Sequence, residues 1–283
     1  MTQFVTCSEG RFAYLSWGEE GAPIVFCLHG FPDTPHSFSD FATKLSSLGY
    51  RVIAPWLRGY APSTLDGPIT TEQLVKDIKS LIDAISPNKK VFIVAHDWGA
   101  ALTYLTLSQY PQLFLRAVTA SVPHPTVFFK SIVTKPSQFK KSWYILFFQL
   151  GPLADYFVSR NNFSLIEKLW RTWSPGYALS ASQWNIIKEC LSQSMPKPVM
   201  YYRAMFWPPL PALKQLRAAN KVHTPLLYVH GVEDGCINLE SRRGQENYFM
   251  AAHQEVLLEG VGHFVALEAP DRLAQEAHRW FQG

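Results

Sequence analysis

Four short stretches of this 283-residue chain hold side chains of the kinds that do chemistry, and each comes after an apolar run. FIVAHDWGAAL (92–102) passes from apolar residues through His96-Asp97-Trp98-Gly99 into helix formers. Strand, sharp turn and helix is the outline of a nucleophile elbow, which needs small neighbours because the turn brings backbone segments together. Ala95 and Gly99 meet that need, and Asp97 stands at the apex. A carboxylate there reads either as a nucleophile or as an N-cap of the following helix, a role Asp favours. In LHGFPD (28–33), a backbone N–H just after His29-Gly30 would join the N–H after Asp97 as an oxyanion hole. Those donors are Phe31 and Trp98, while His29 itself reads as a structural histidine bridging loops. VHGVEDG (229–235) offers Asp234, with Glu233 as second choice, to orient a histidine, although Asp-Gly is also a common turn pair. EGVGHFVALEAP (259–270) offers His263, a base or a structural histidine when read alone.

Order joins these pieces. Asp97, then Asp234, then His263, each after a strand-like run, is the chain order of the α/β-hydrolase fold. A carboxylate is ionised at neutral pH and needs no base to become a nucleophile. It is a weak one, so its target must be a strained or activated carbon, and attack leaves an ester on Asp97. A histidine oriented by Asp234 would then activate water.

The surrounding elements fit that role. FAYLSW, PIVFCLH, RVIAPW, KVFIVAH, RAVTASV, TPLLYVHG and QEVLLEG read as strands, most of them continuously apolar as in a parallel sheet covered on both faces. Helical patterns lie between them in SFSDFATKLSSLG, TTEQLVKDIKSLIDAIS, AALTYLTLSQYP and GQENYFMAAH, with PDRLAQEAHRWF last, and Thr70 or Thr71 caps the second. From about 125 to 215 no alternating strand is found; Trp, Phe, Tyr and Pro are dense, and PSQFKKSWYILFFQL, NFSLIEKLWRTW, SASQWNIIKECLSQ and VMYYRAMF read as helices. The expected organisation is a core over 1–124 and 216–283, interrupted by a helical insertion over 125–215.

Composition excludes several classes. The chain is 47% hydrophobic, 17% charged and +4 in net charge, a globular balance rather than a disordered one. Lys and Arg are scattered or merely paired, which gives nucleic-acid binding no footing. Cys7, Cys27, Cys190 and Cys236 show no metal spacing and no CxxC. No secretory signal is seen, and WYILFFQL is far short of the ~18–20 residues a membrane span needs. A cytoplasmic enzyme without metal or organic cofactor is expected, and a homo-oligomer stays open.

HGFPD, PWLRGYAPS, AHDWGAA and GHFVALEAP resemble the epoxide hydrolases of the α/β-hydrolase superfamily, across about two-thirds of the chain. The resemblance implies that the insertion is a cap, and that two cap tyrosines hold the epoxide oxygen. YILFFQ matches the first tyrosine segment and places Tyr144; YYRA matches the second and places Tyr202. Two departures are Trp56, where the family has Asp, and Ala61, where it has Gly; they bear on loop geometry more than on chemistry. On this reading a small hydrophobic epoxide and water give a vicinal diol. Two phenols, with ordinary pKa about 10, suit an alkoxide leaving group. A haloalkane or haloacid dehalogenase uses the same acid–histidine–acid set, but Phe31 lacks a halide donor and no Arg adjoins Asp97. The remaining alternative is a non-catalytic ligand-binding relative. The aromatic insertion, with Trp143, Phe147, Phe148, Trp170, Trp173, Trp184 and Phe206, implies an apolar pocket with part of this set as its own core.

Overall fold

The seven expected strands pair into one sheet, and an eighth, unforeseen strand joins them at the edge. A computed structural model describes residues 1–207, 209, 219 and 221–283. The strands are β1 (Gln3–Cys7), β2 (Gly10–Trp17), β3 (Ile24–Leu28), β4 (Arg51–Pro55), β5 (Val91–His96), β6 (Phe114–Ala120), β7 (Leu226–Gly231) and β8 (His253–Leu258). Their order across the sheet is β1-β2-β4-β3-β5-β6-β7-β8. From β4 to β8 every pairing is parallel; β2 runs antiparallel to β4, and β1 antiparallel to β2. β1 escapes the sequence because it lies at the edge, with three of its five residues exposed, so it has no apolar run to betray it.

Period-two alternation divides the core between the two faces of the sheet. Val25, Cys27, Val52, Ala54 and Val94 point to one face, where α1 (Ser39–Ser47) and the last helix (Pro270–Gln282) cover them with Phe41, Leu45, Leu273, Trp280 and Phe281. Phe26, Leu28, Ile53, Ile93 and Ala95 point to the other, beneath α2 (Thr71–Ile85) and α3 (Trp98–Gln109). Thr70 caps α2, its hydroxyl accepting from the Gln73 N–H at 3.2 Å. GQENYFMAAH does not form the expected helix; only a 3-10 turn, Gln245–Tyr248, follows the positive-φ Gly244.

Between β6 and β7 the described chain is helical: α4 (Pro125–Thr134), α5 (Pro136–Lys141), α6 (Trp143–Phe147), α7 (Pro152–Trp173), α8 (Ala181–Ser194) and α9 (Lys197–Ala204). α4 starts at 125, where the expected insertion begins; the expected end, 215, lies outside the described residues. α7 is broken, with Arg160 extended and Asn161, Asn162 and Phe163 at positive φ. NFSLIEKLWRTW covers only its second half. The two departures, Trp56 and Ala61, lie in a loop pinned to α2 and α8: Arg58 pairs with buried Asp77 of α2 through two 2.7 Å bonds, and Ala61 N–H donates to Ser194 Oγ of α8 at 2.8 Å.

Candidate active site

All the expected site residues of the core lie just beyond the carboxyl ends of parallel strands. Phe31 follows β3, Asp97 follows β5, Asp234 follows β7 and His263 follows β8. Loops there converge because parallel strands end on one edge.

Asp97 sits at φ 50°, ψ −119°, a conformation that costs a non-glycine residue about 1–3 kcal/mol. Its side chain makes no capping bond to α3, which removes the N-cap reading. Instead Oδ1 accepts the Phe31 N–H at 2.7 Å. Two glycines make the approach feasible. A Cβ on Gly30 would stand 2.2 Å from Asp97 Oδ1 and 2.6 Å from Trp98 N, and one on Gly99 would stand 2.2 Å from the Leu28 carbonyl oxygen.

His263 joins the two acids. Its Nδ1 is 2.8 Å from Asp234 Oδ2, and its Nε2 is 3.5 Å from Asp97 Oδ2 and forms no hydrogen bond among the described residues. Asp234 Oδ1 accepts the N–H groups of Cys236 and Ile237 at 2.6 and 2.8 Å, which fixes the carboxylate against rotation. Burial would lower the imidazole, but Asp234, by charge and hydrogen bond, together with Asp97 raises it to about 10. Burial would raise both carboxyls, and the imidazole next to each holds them below their ordinary value. At neutral pH the centre is therefore an imidazolium between two carboxylates. The folded protein binds this proton more tightly than the unfolded chain, so the stabilisation is complete below pH about 6.5 and fades as pH rises through about 10. Denaturant midpoints measured from pH 7 to 10 should fall further in the wild type than in His263→Gln, which lacks the proton.

Further groups hold this geometry, and of them Trp173 and Ser121 carry no motif. The Trp173 carbonyl, at the end of α7, accepts from Gly235 N at 2.9 Å and His263 N at 3.1 Å, tying the two loops together. The His263 carbonyl accepts from Ser121 Oγ at 2.5 Å and lies 2.9 Å from His96 Nε2. Burial lowers His96 to about 4, which leaves it neutral. His29 bridges loops, with Nδ1 3.0 Å from the Gly30 carbonyl and Nε2 accepting the Leu57 N–H at 3.2 Å.

A cavity of about 360 Å³ opens over Asp97 and Trp98. Tyr144 from α6 and Tyr202 from α9 line it as well, their rings 5.5 Å apart and at 88°. Tyr144 Oη is 3.3 Å from Cys236 Sγ, and Tyr202 Oη is buried without a well-formed hydrogen bond among the described residues. Burial above all, reinforced by the Asp97 charge, raises both phenols well above their ordinary value and keeps them protonated. Tyr201 turns away, donating to the Arg58 carbonyl at 2.6 Å. Apart from Thr71 the remaining lining is apolar, with Val122, Phe128, Phe129, Met205 and Phe206 prominent. Of the aromatic set expected from the sequence, only Phe206 lines the cavity. Trp170 stacks on Phe264 at 4.1 Å, Trp173 is buried 5.3 Å from the His263 ring, and Trp143 is exposed. Asp234, Cys236 and His263 each offer a potential metal-ligand atom within 4.8 Å of the others, but the Asp234–His263 hydrogen bond already engages two of them.

A sheet of this topology, with acid, acid and histidine on loops at one edge, defines a class that comparison with known proteins makes specific. The family described as alpha/beta hydrolase fold matches residues 23–270. The chain is 30% identical over 273 residues to epoxide hydrolase 4 of Mus musculus, covering 92% of this chain and 73% of that protein. It is 25% identical over 290 residues to epoxide hydrolase 1 of Caenorhabditis elegans, covering 99% and 70%. Among solved structures, a Bacillus megaterium epoxide hydrolase in complex with an inhibitor aligns with TM-score 0.86 at 24% identity, covering 99% of this chain and 100% of that one. The chain belongs to the α/β-hydrolase-fold family and, within it, to the epoxide hydrolases.

Proposed function

We propose that this hydrolase opens a small apolar epoxide through an ester on Asp97 and releases a vicinal diol. One observation carries the reading: a carboxylate held by the Phe31 N–H and faced by His263 shares an apolar cavity with two protonated phenols. Residues 125–215 act as the cap in this reading, and the enzyme works in the cytoplasm on substrate and water alone.

Asp97 Oδ2 attacks an epoxide carbon, the ring C–O bond breaks, and the oxygen takes a proton from Tyr144 or Tyr202. The ester no longer carries the Asp97 charge that helped hold the His263 proton. That proton restores the phenol through solvent, and His263 becomes a neutral base. It then deprotonates a water that attacks the Asp97 carbonyl carbon. The oxyanion forms on Oδ1, which the Phe31 N–H already reaches, with the Trp98 N–H as second donor. Collapse releases the diol, returns the Asp97 carboxylate and leaves His263 protonated, as it began. Two phenols suit an oxygen leaving group, and a halide has no need of them, which disfavours dehalogenation.

A single turnover in 18O-labelled water, with enzyme in excess over styrene oxide, tests the scheme. The diol should carry no label, while the peptide containing Asp97 should gain it. Label in the first-turnover diol would mean direct attack by water. No diol from aromatic, fatty or small epoxides, with halide released from haloalkanes, would make the protein a dehalogenase. Tyr144→Phe and Tyr202→Phe should each slow ester formation by about 10²-fold in rapid-quench mass measurements and leave ester hydrolysis nearly unchanged.

A further inference from the structure

α6 has two faces. Tyr144 and Ile145 line the cavity, while Trp143 and Leu146 are 46% and 52% exposed. The exposed series continues through Leu150, Leu153, Tyr156 and Phe157, all between 42% and 60% exposed. The rings form a continuous surface: Trp143 to Phe147 at 5.9 Å, Phe147 to Phe157 at 6.5 Å, Phe157 to Tyr156 at 5.4 Å. Trp143 and Phe157 line one shallow surface depression together with Arg160 and Lys168. Apolar and cationic side chains thus share a single outer face.

Charge says what such a face meets. Residues 125–173 hold seven Lys and Arg against two acidic residues, a net +5. The whole chain holds 26 against 22, a net +4, so everything outside this segment amounts to −1. Both acids of the segment are engaged, Asp155 with Arg203 at 2.5 Å and Glu167 with Arg171 at 2.9 Å. Lys135 and Lys141 turn to Glu240 and the Asp234 carbonyl, and the protein's excess positive charge falls in the segment where Arg160 and Lys168 stand beside exposed Trp143 and Phe157. Trp, Tyr, Phe and Leu bordered by Lys and Arg is the composition of a segment lying in a membrane interface, and anionic lipid attracts the cations. The cores of protein–protein interfaces, by contrast, are depleted of Lys. Among the described residues no helix is long and apolar enough to cross a membrane, so the contact is with the surface.

We propose that this face docks on an anionic lipid bilayer. Trp143, Leu146, Leu150 and Phe157 enter the headgroup boundary, and Arg160 and Lys168 meet lipid phosphates. The cavity then lies one helix, α6, from the membrane.

Co-sedimentation of the full chain with vesicles of phosphatidylcholine, with and without phosphatidylserine, tests this independently of any epoxide turnover. The wild type should partition onto the anionic vesicles and be released by salt. Arg160→Gln with Lys168→Gln should weaken partitioning about 25-fold, at roughly fivefold per charge. Trp143→Ser with Leu150→Ser should weaken it at least about tenfold. Leu115→Ser, at a residue 43% exposed at the start of β6, should change nothing. Circular dichroism establishes that each variant is folded, and the charge pair keeps the test open if the apolar pair is not. Equal binding to neutral and anionic vesicles, or binding that survives both double variants, would overturn the proposal. So would a wild-type dimer in light scattering that Trp143→Ser with Leu150→Ser converts to monomer, since a second copy would then cover this face.

Discussion

Asp97→Asn should lower kcat for diol formation by at least about 10⁴-fold and leave the fold in place. On the proposed scheme the first bond to the substrate is made by a carboxylate oxygen, and an amide at the same position has neither the charge nor the basicity to make it. The substitution is nearly isosteric. The amide oxygen can still accept the Phe31 N–H, and the strain at φ 50° belongs to the backbone, so it is neither relieved nor increased. The thermal midpoint should therefore move by only a few degrees, and circular dichroism with a melting curve separates lost chemistry from lost structure. A second readout follows from the charge. His263 is raised to about 10 with Asp97 among the causes, so in the variant its NMR titration should move down, with Asp234 alone still raising it. Wild-type diol formation by the Asp97→Asn variant would remove Asp97 from the reaction altogether.

The core could be read from the sequence because its physics is repetitive. A strand buried on both faces must be a continuous apolar run, and β5, with all six residues buried, is one. Asp97 directly follows such a strand and Asp234 comes three residues after another, β7, whereas β8, which leads to His263, is a half-exposed edge strand marked only by its Val256-Leu257-Leu258 run. β1 was missed because an exposed edge strand has no such run. The insertion was harder, since α6 is only five residues long and almost wholly apolar. No periodicity distinguishes Trp143, which faces solvent, from Tyr144, which faces the cavity. Tyr144 and Tyr202 came from likeness to known segments, not from pattern. The Trp173 carbonyl that ties the Asp234 and His263 loops was beyond reach, because every residue has a carbonyl and only the path of the chain decides which one is used. Cys236 beside Tyr144 is a contact across 92 residues with no spacing to announce it.

His263→Gln should stop the reaction between its two steps. Attack by Asp97 needs no base, and the phenols of Tyr144 and Tyr202 are untouched, so the variant should consume about one equivalent of epoxide. The ester should then persist, because its carbonyl still meets the Phe31 N–H but no group 3.5 Å away can take a proton from water. Glutamine can keep a hydrogen bond to Asp234, which also retains the Cys236 and Ile237 N–H groups, so the buried acid is not left without partners. Intact mass should rise by the mass of the epoxide, the adduct should map to the peptide containing Asp97, and steady turnover should fall by at least about 10³-fold. Continued consumption with no adduct would mean that water opens the epoxide directly and that Asp97 only orients it. Combining His263→Gln with Tyr144→Phe and Tyr202→Phe separates the steps. If the phenols serve ring opening, the adduct should form far more slowly and still not decay. If instead they served ester hydrolysis, it would form at the speed of His263→Gln alone.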